Sequence, residues 1–172
     1  LLSFSTSLIL AASLGLVVLT VSAAPAAAAD PCSAPTNEVV CENSKPGEAN
    51  WQVPEDDPTI LGYATDISVN AGTTASFKVK TSVPYTINIL RLGYYGGDGA
   101  RSIANISSTP RSQPACLTDA QTRLVDCGNW AVSASWAVPA NAVSGVYVAR
   151  LTRTDNGGAS LVPFIVRRDS ST

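Results

Sequence analysis

The chain has 172 residues, 45% hydrophobic and 14% charged, with 11 basic and 13 acidic side chains and no histidine. A formal net charge of −2 gives no basic field for nucleic acid or anionic lipid. Without histidine, the Ser-His and Cys-His nucleophile pairs and most zinc sites are excluded.

Residues 1–29 read as a secretory signal peptide. No charge precedes Asp30, an apolar run is centred on Leu8 to Val21, and the small residues Ala27 to Ala29 supply a cleavage site. The run breaks at Ser22 and Pro25, short of the ~20 apolar residues of a membrane span, so no stable span is expected after cleavage. The basic n-region and any methionine are missing, so the sequence reads as lacking its true start. The expected location is secreted or extracellular.

Residues 30–59 are proline-rich and lack sustained periodicity, which predicts an irregular N-terminal arm with Trp51 against the core. From residue 60 the texture changes. ATDISVN reads as a half-buried strand, as does TASFKVKT, where Ala75, Phe77 and Val79 alternate with Ser76, Lys78 and Lys80. YTINILRLG places Tyr85, Ile87 and Ile89 on one face; RSIANIS is a short strand, and 107–128 a long loop. WAVSASWAV, GVYVARLTR and SLVPFIVR complete about seven strands without a helical period, predicting an all-β, immunoglobulin- or fibronectin-like antiparallel sandwich over 60–168, with a tail at 169–172. Pro139, Gly145 and Tyr147 resemble the tyrosine-corner region of such domains.

Cys32 and Cys41 enclose eight residues and Cys116 and Cys127 ten, neither matching the short spacing of zinc or thiol-redox motifs. Local pairing, Cys32–Cys41 and Cys116–Cys127, is expected over the long-range alternatives.

RLGYYGGDGARSIA nearly spells the dinucleotide-binding G-x-G-x-x-G at Gly97, Gly99 and Ser102. It joins two strands with no helix after it, so it reads as a glycine-rich hairpin rather than a phosphate loop. Adjacent tyrosines in such a stretch face opposite ways, one toward the core and one outward. No G-x-S-x-G elbow occurs. Glu55-Asp56-Asp57 lacks calcium-loop spacing, Asp119 and Asp126 lie in the second cysteine loop, and Asn105-Ile106-Ser107 is a glycosylation sequon.

GYATDISVNAG, YTINILRLGYYGGDGAR, QPACLTDAQTRLVDCGNWAVSASWAVP and SGVYVARLTRTDNGGAS resemble the N-terminal β-sandwich region of secreted bacterial proteins similar to the N,N-dimethylformamidase large (beta) subunit, over roughly Glu42 to Arg168. The resemblance implies a larger α/β, glutamine-amidotransferase-like domain after the sandwich, where amide hydrolysis takes place at an iron bound by tyrosine and glutamate. None of those ligands maps onto a residue here, so the resemblance implies no catalytic residue, metal or cofactor in this chain. The expected role is an accessory module lacking its catalytic domain, with Arg91, Tyr94, Tyr95 and Arg101 as an exposed interdomain contact. The alternative is a module binding carbohydrate or another cell-surface polymer through Trp51, Tyr94, Tyr95 or Trp130.

Overall fold

The computed structural model describes residues 30–33 and 37–169. The expected signal peptide and residues 170–172 of the tail lie outside them. A short helix, α1 (Glu38–Asn43), precedes the strands β1 (Leu61–Ala64), β2 (Ser68–Asn70), β3 (Thr74–Lys80), β4 (Tyr85–Leu92), β5 (Ala100–Ser108), β6 (Leu117–Thr118), β7 (Val125–Asp126), β8 (Ala134–Ala137), β9 (Gly145–Arg153) and β10 (Ala159–Arg167). These strands form an all-β sandwich. One sheet has the order β1-β3-β8 and the other β2-β10-β9-β4-β5, with β6 and β7 as a separate two-stranded ribbon. Neighbours are antiparallel except β10 and β2, which run parallel.

The expected alternation in β3 is observed: Ala75, Phe77 and Val79 are buried, with Ser76 and Lys78 between them partly exposed. From the facing sheet come Ile87 and Ile89 of β4, Ala149 and Leu151 of β9, and Val162, Phe164 and Val166 of β10. Four rings tie the two layers. Phe77 meets Phe164 edge-on at 5.5 Å, and Trp136 of β8 lies 5.8 Å from Tyr147 and 6.2 Å from Phe164. Burying each such side chain contributes about 1.5–3 kcal/mol before chain entropy is counted.

The strand expected over ATDISVN is shortened to β2, and Leu61–Ala64 before it forms a further strand, β1. β1 joins the smaller sheet and β2 the larger, so the chain changes layers at Thr65–Ile67. Pro163 lies inside β10, but β2 pairs only with Ile165 to Arg167. The missing N–H of Pro163 thus falls where that side of β10 has no neighbour, the place where a strand tolerates proline. Tyr147 forms the expected corner: its hydroxyl donates to the Val143 carbonyl at 2.7 Å, and burial pushes its pKa up to about 12.

The cysteines pair locally, Cys32 with Cys41 and Cys116 with Cys127, with Cα atoms 4.6 and 4.4 Å apart. The second pair staples the β6–β7 ribbon, which the 107–128 stretch forms in place of a plain loop. Its base is fixed to the smaller sheet by the Tyr63 hydroxyl on the Cys127 carbonyl at 2.6 Å and by Lys78 Nζ on that of Gly128 at 2.8 Å.

The N-terminal arm differs from the irregular segment expected. Asn37 caps α1, its side-chain oxygen accepting from the Val39 and Val40 amides at 3.0 and 3.2 Å, and Glu38 sits in the first turn. Six residues are too few to display a helical period, which is why pattern reading passes over them. After α1 the arm crosses the outer side of the five-stranded sheet. Glu48 N donates to the Ala100 carbonyl, Arg150 donates to the Asn50 carbonyl, and Asp57 N donates to the Ala159 carbonyl.

Candidate functional site

β4 and β5 are joined by the glycine-rich turn, and the site lies where that turn meets α1. Along β4 every second side chain faces the core: Tyr85, Ile87, Ile89, then Arg91. Arg91 stands opposite Tyr147 of β9 and is only 4% exposed. Its guanidinium lies against Gly145, where a Cβ would come within 3.2–3.4 Å of it. Arg91 Nη2 donates to the Ser144 carbonyl at 3.0 Å, and Nη1 to the Tyr95 hydroxyl at 2.9 Å and to Asn43 Oδ1 at 3.3 Å.

After Leu92 the chain closes tightly, with Gly93 N donating to the Gly99 carbonyl and Gly97 N to that of Tyr94. Gly96, Gly97 and Gly99 have φ of 70°, 106° and 86°, which explains the glycine run without a ligand. Tyr95 also takes a left-handed φ, 43°, rare for a bulky residue. What holds it there is its side chain, 1% exposed, with the hydroxyl between Arg91 and Glu42.

Glu42, from α1, is the anion of the cluster and is 2% exposed. Its Oε1 accepts from Arg101 Nε at 2.7 Å and from the Tyr95 hydroxyl at 3.2 Å; its Oε2 accepts from Lys45 Nζ at 2.7 Å. Burial pushes the Glu42 carboxyl up, but the hydrogen bonds and charges of Lys45 and Arg101 together outweigh it and hold the group below its ordinary value. Burial also raises the Tyr95 hydroxyl. Two cations thus hold one carboxylate, and Arg91 reaches it only through the Tyr95 hydroxyl.

These contacts correct the expectation of an exposed four-residue docking patch. Arg91, Tyr95 and Arg101 are committed to the chain's own arm, because Glu42 and Asn43 supply the oxygen atoms that a partner would otherwise provide. Tyr94 alone projects, 70% exposed, while the neighbouring tyrosine is buried; the expected division holds, but through a tight turn in which Tyr94 has helical and Tyr95 left-handed backbone angles, not through extended chain. Around Tyr94 lies an open groove of about 660 Å³ lined by Pro31, Val40, Pro46 and Gly96, among others. The other aromatics proposed as sugar platforms turn inward. Trp130 is buried, its Nε1 donating to the Pro114 carbonyl at 3.0 Å; Trp51 is half-buried, its Nε1 donating to the Asp98 carbonyl at 3.1 Å.

The scattered carboxylates serve the backbone. Asp119 accepts from the amides of Gln121 and Thr122 and Asp126 from that of Gly128, each closing a turn, while Asp56 accepts from that of Leu161 and ties the arm to β10. Sequence reasoning missed Glu42 and Asn43. The signal for a buried partner was the period of β4, which carries Arg91 onto the core face; nothing local pointed to an acid 59 residues from Arg101.

A family model described as N,N-dimethylformamidase beta subunit-like, C-terminal, matches residues 86–172. The chain belongs to that family. The match runs from within β4 through β10, so it takes in Arg91, Tyr94, Tyr95 and Arg101, while α1 and the rest of the arm precede it. No curated protein matches the chain significantly.

For a dimethylformamidase beta subunit-like chain the pairing of Tyr95 with Glu42 invites comparison with an iron held by tyrosine and glutamate. The residues do not fit one. Both Glu42 oxygens are taken by cationic donors, the Tyr95 hydroxyl accepts from a guanidinium, and Arg91, Arg101 and Lys45 would repel a metal cation. Among the described residues no three acidic, histidine or cysteine side chains are placed to share a metal, and no helix is long and apolar enough to cross a membrane.

Proposed function

We propose that this chain is an exported, non-catalytic accessory module that docks an amide-hydrolase catalytic domain through the surface around Tyr94. The observation that carries this reading is the contrast within one turn. Arg91, Tyr95 and Glu42 fix the backbone from inside, and the same turn presents Tyr94 to solvent in a groove it shares with Val40, Pro31 and Pro46. A rigid turn offering an aromatic with aliphatic neighbours resembles the anchor of a protein interface, and preorganisation reduces the entropy lost on docking. Family membership supports a hydrolase as the partner. Two local disulfides agree with an oxidising compartment. The carbohydrate alternative requires several exposed coplanar rings, and of the four aromatics considered only Tyr94 is exposed.

Calorimetric titration of residues 30–172 into a separately expressed catalytic domain of a family member tests the reading. Tyr94→Ala is expected to weaken association about tenfold, some 1.4 kcal/mol, while moving the melting temperature by less than about 2 °C. Absence of association for the unmutated chain, or equal affinity for the alanine variant, overturns it.

A further inference from the structure

We propose that α1 is a disulfide-held latch, and that reduction of Cys32–Cys41 by a dithiol releases it from the glycine-rich turn and dismantles the groove beside Tyr94. This deepens the docking reading, since it supplies regulation for that surface.

A six-residue helix does not persist in water on its own, so α1 depends on what fastens it. The fastenings are few and lie close together: the Asn37 cap, the Cys32–Cys41 ring, Glu38 on Arg168, and Glu42 with Asn43 on the turn. Cys41 immediately precedes Glu42. The covalent tie therefore sits one residue from the carboxylate that holds Arg101 and Tyr95, and its other end, Cys32, is exposed. The groove wall opposite Tyr94 is made by Pro31, Val40, Asn43 and Pro46, all within or flanking the segment that the disulfide restrains. The second disulfide has no such role, because Cys116–Cys127 closes the β6–β7 ribbon at the other sheet.

The chemistry balances as ordinary thiol–disulfide exchange. A thiolate of the dithiol attacks the exposed Cys32 sulfur and expels Cys41 as its thiolate. The second thiol of the reagent then displaces Cys32, so the reagent leaves as its own disulfide after passing two electrons to the protein, which gains two thiols. With the ring open, α1 unwinds, Glu42 leaves, Arg101 loses its carboxylate, and Arg91 loses its bond to Asn43. An apolar groove becomes a basic, mobile surface.

Hydrogen exchange read by mass spectrometry tests this on residues 30–172, comparing the unmutated oxidised chain with two double variants. Cys32→Ser with Cys41→Ser is expected to raise exchange at 40–44 and 93–101 at least tenfold, with β9 and β10 unchanged. Cys116→Ser with Cys127→Ser is expected to leave 93–101 as in the unmutated chain. Unchanged protection at 93–101 in the first variant overturns the latch. Loss of protection throughout β9 and β10 in that variant also overturns it, because the disulfide would then support the whole sandwich. Failure of the oxidised chain to bind a catalytic domain, with the exchange result intact, removes the docking reading and leaves the latch standing.

Discussion

Replacing Glu42 with alanine removes the carboxylate that Lys45, Arg101 and the buried Tyr95 hydroxyl share, with Arg91 bonded to that same hydroxyl. Breaking a fully sealed ion pair costs about 3–5 kcal/mol, because the abandoned charge has no water to turn to. Arg101 and Lys45 are not sealed: their side chains are 27% and 45% exposed and rehydrate once the carboxylate is gone. Arg91 keeps its bonds to Ser144 and Tyr95. The cost therefore falls below that range, to about 2–3 kcal/mol, or a melting-temperature drop of roughly 6–12 °C for a domain of this size. Glu42→Gln keeps the volume and one acceptor oxygen and should lose about half as much. The pH dependence follows from the direction of the Glu42 shift. Because the folded carboxyl is held below 4.5, its contribution is complete above that unfolded value and is lost as pH falls through the lowered one, so the unmutated and Gln chains should converge in acid. Urea unfolding across that range measures both effects. A Glu42→Ala midpoint within error of the unmutated chain, or a gap that persists undiminished in acid, refutes the assignment of Glu42 as the electrostatic hub.

Tyr147→Phe removes the corner hydrogen bond to Val143 and should destabilise by about 1 kcal/mol in chemical unfolding. Since the folded hydroxyl is raised to about 12, its stabilisation holds below the ordinary tyrosine value and disappears as pH climbs through the raised one; an ultraviolet titration should show a late tyrosinate step that the Phe variant lacks. Gly145→Ala, at φ of 154°, adds a methyl group pressed onto the Arg91 guanidinium to backbone strain and should cost about 2–4 kcal/mol, whereas Gly157→Ala, with φ of 77° and open space around it, should cost only the ~1 kcal/mol of backbone strain. Equal melting curves for these two alanine variants contradict the packing described for Arg91.

The sequence alone revealed the two-layer architecture through residues whose environment is local and periodic. Ala75, Phe77 and Val79 alternate because β3 is half-buried, and Tyr147 signals its corner by the proline and glycine before it. Both disulfides were legible because each closes a short loop. The layer change at Thr65–Ile67 was not, since a strand that leaves one sheet for another keeps the same alternating texture on either side of the break. At the site, the glycines of the turn and the division of Tyr94 from Tyr95 could be read in advance. The inward course of Arg91 was present in the β4 period but masked by its charge, which ordinarily marks a surface. Glu42 was hidden for a different reason: its meaning comes from Arg101 and Tyr95, and tertiary pairing across such a distance leaves no pattern in either segment.

β5 borders the larger sheet, and a strand so placed can recruit further strands from other molecules. Ile89 faces Ala104 while Leu90 faces Ser102, so Ile103 has no partner and bulges from the ladder. Two residues earlier Arg101 carries its charge inward to Glu42. A bulge and an inward-turned charge are two devices that blunt a sheet border. They leave the uninterrupted part of this strand confined to Ala104–Ser108. The bond that closes α1 over the turn is therefore also one of the devices that blunt this sheet border.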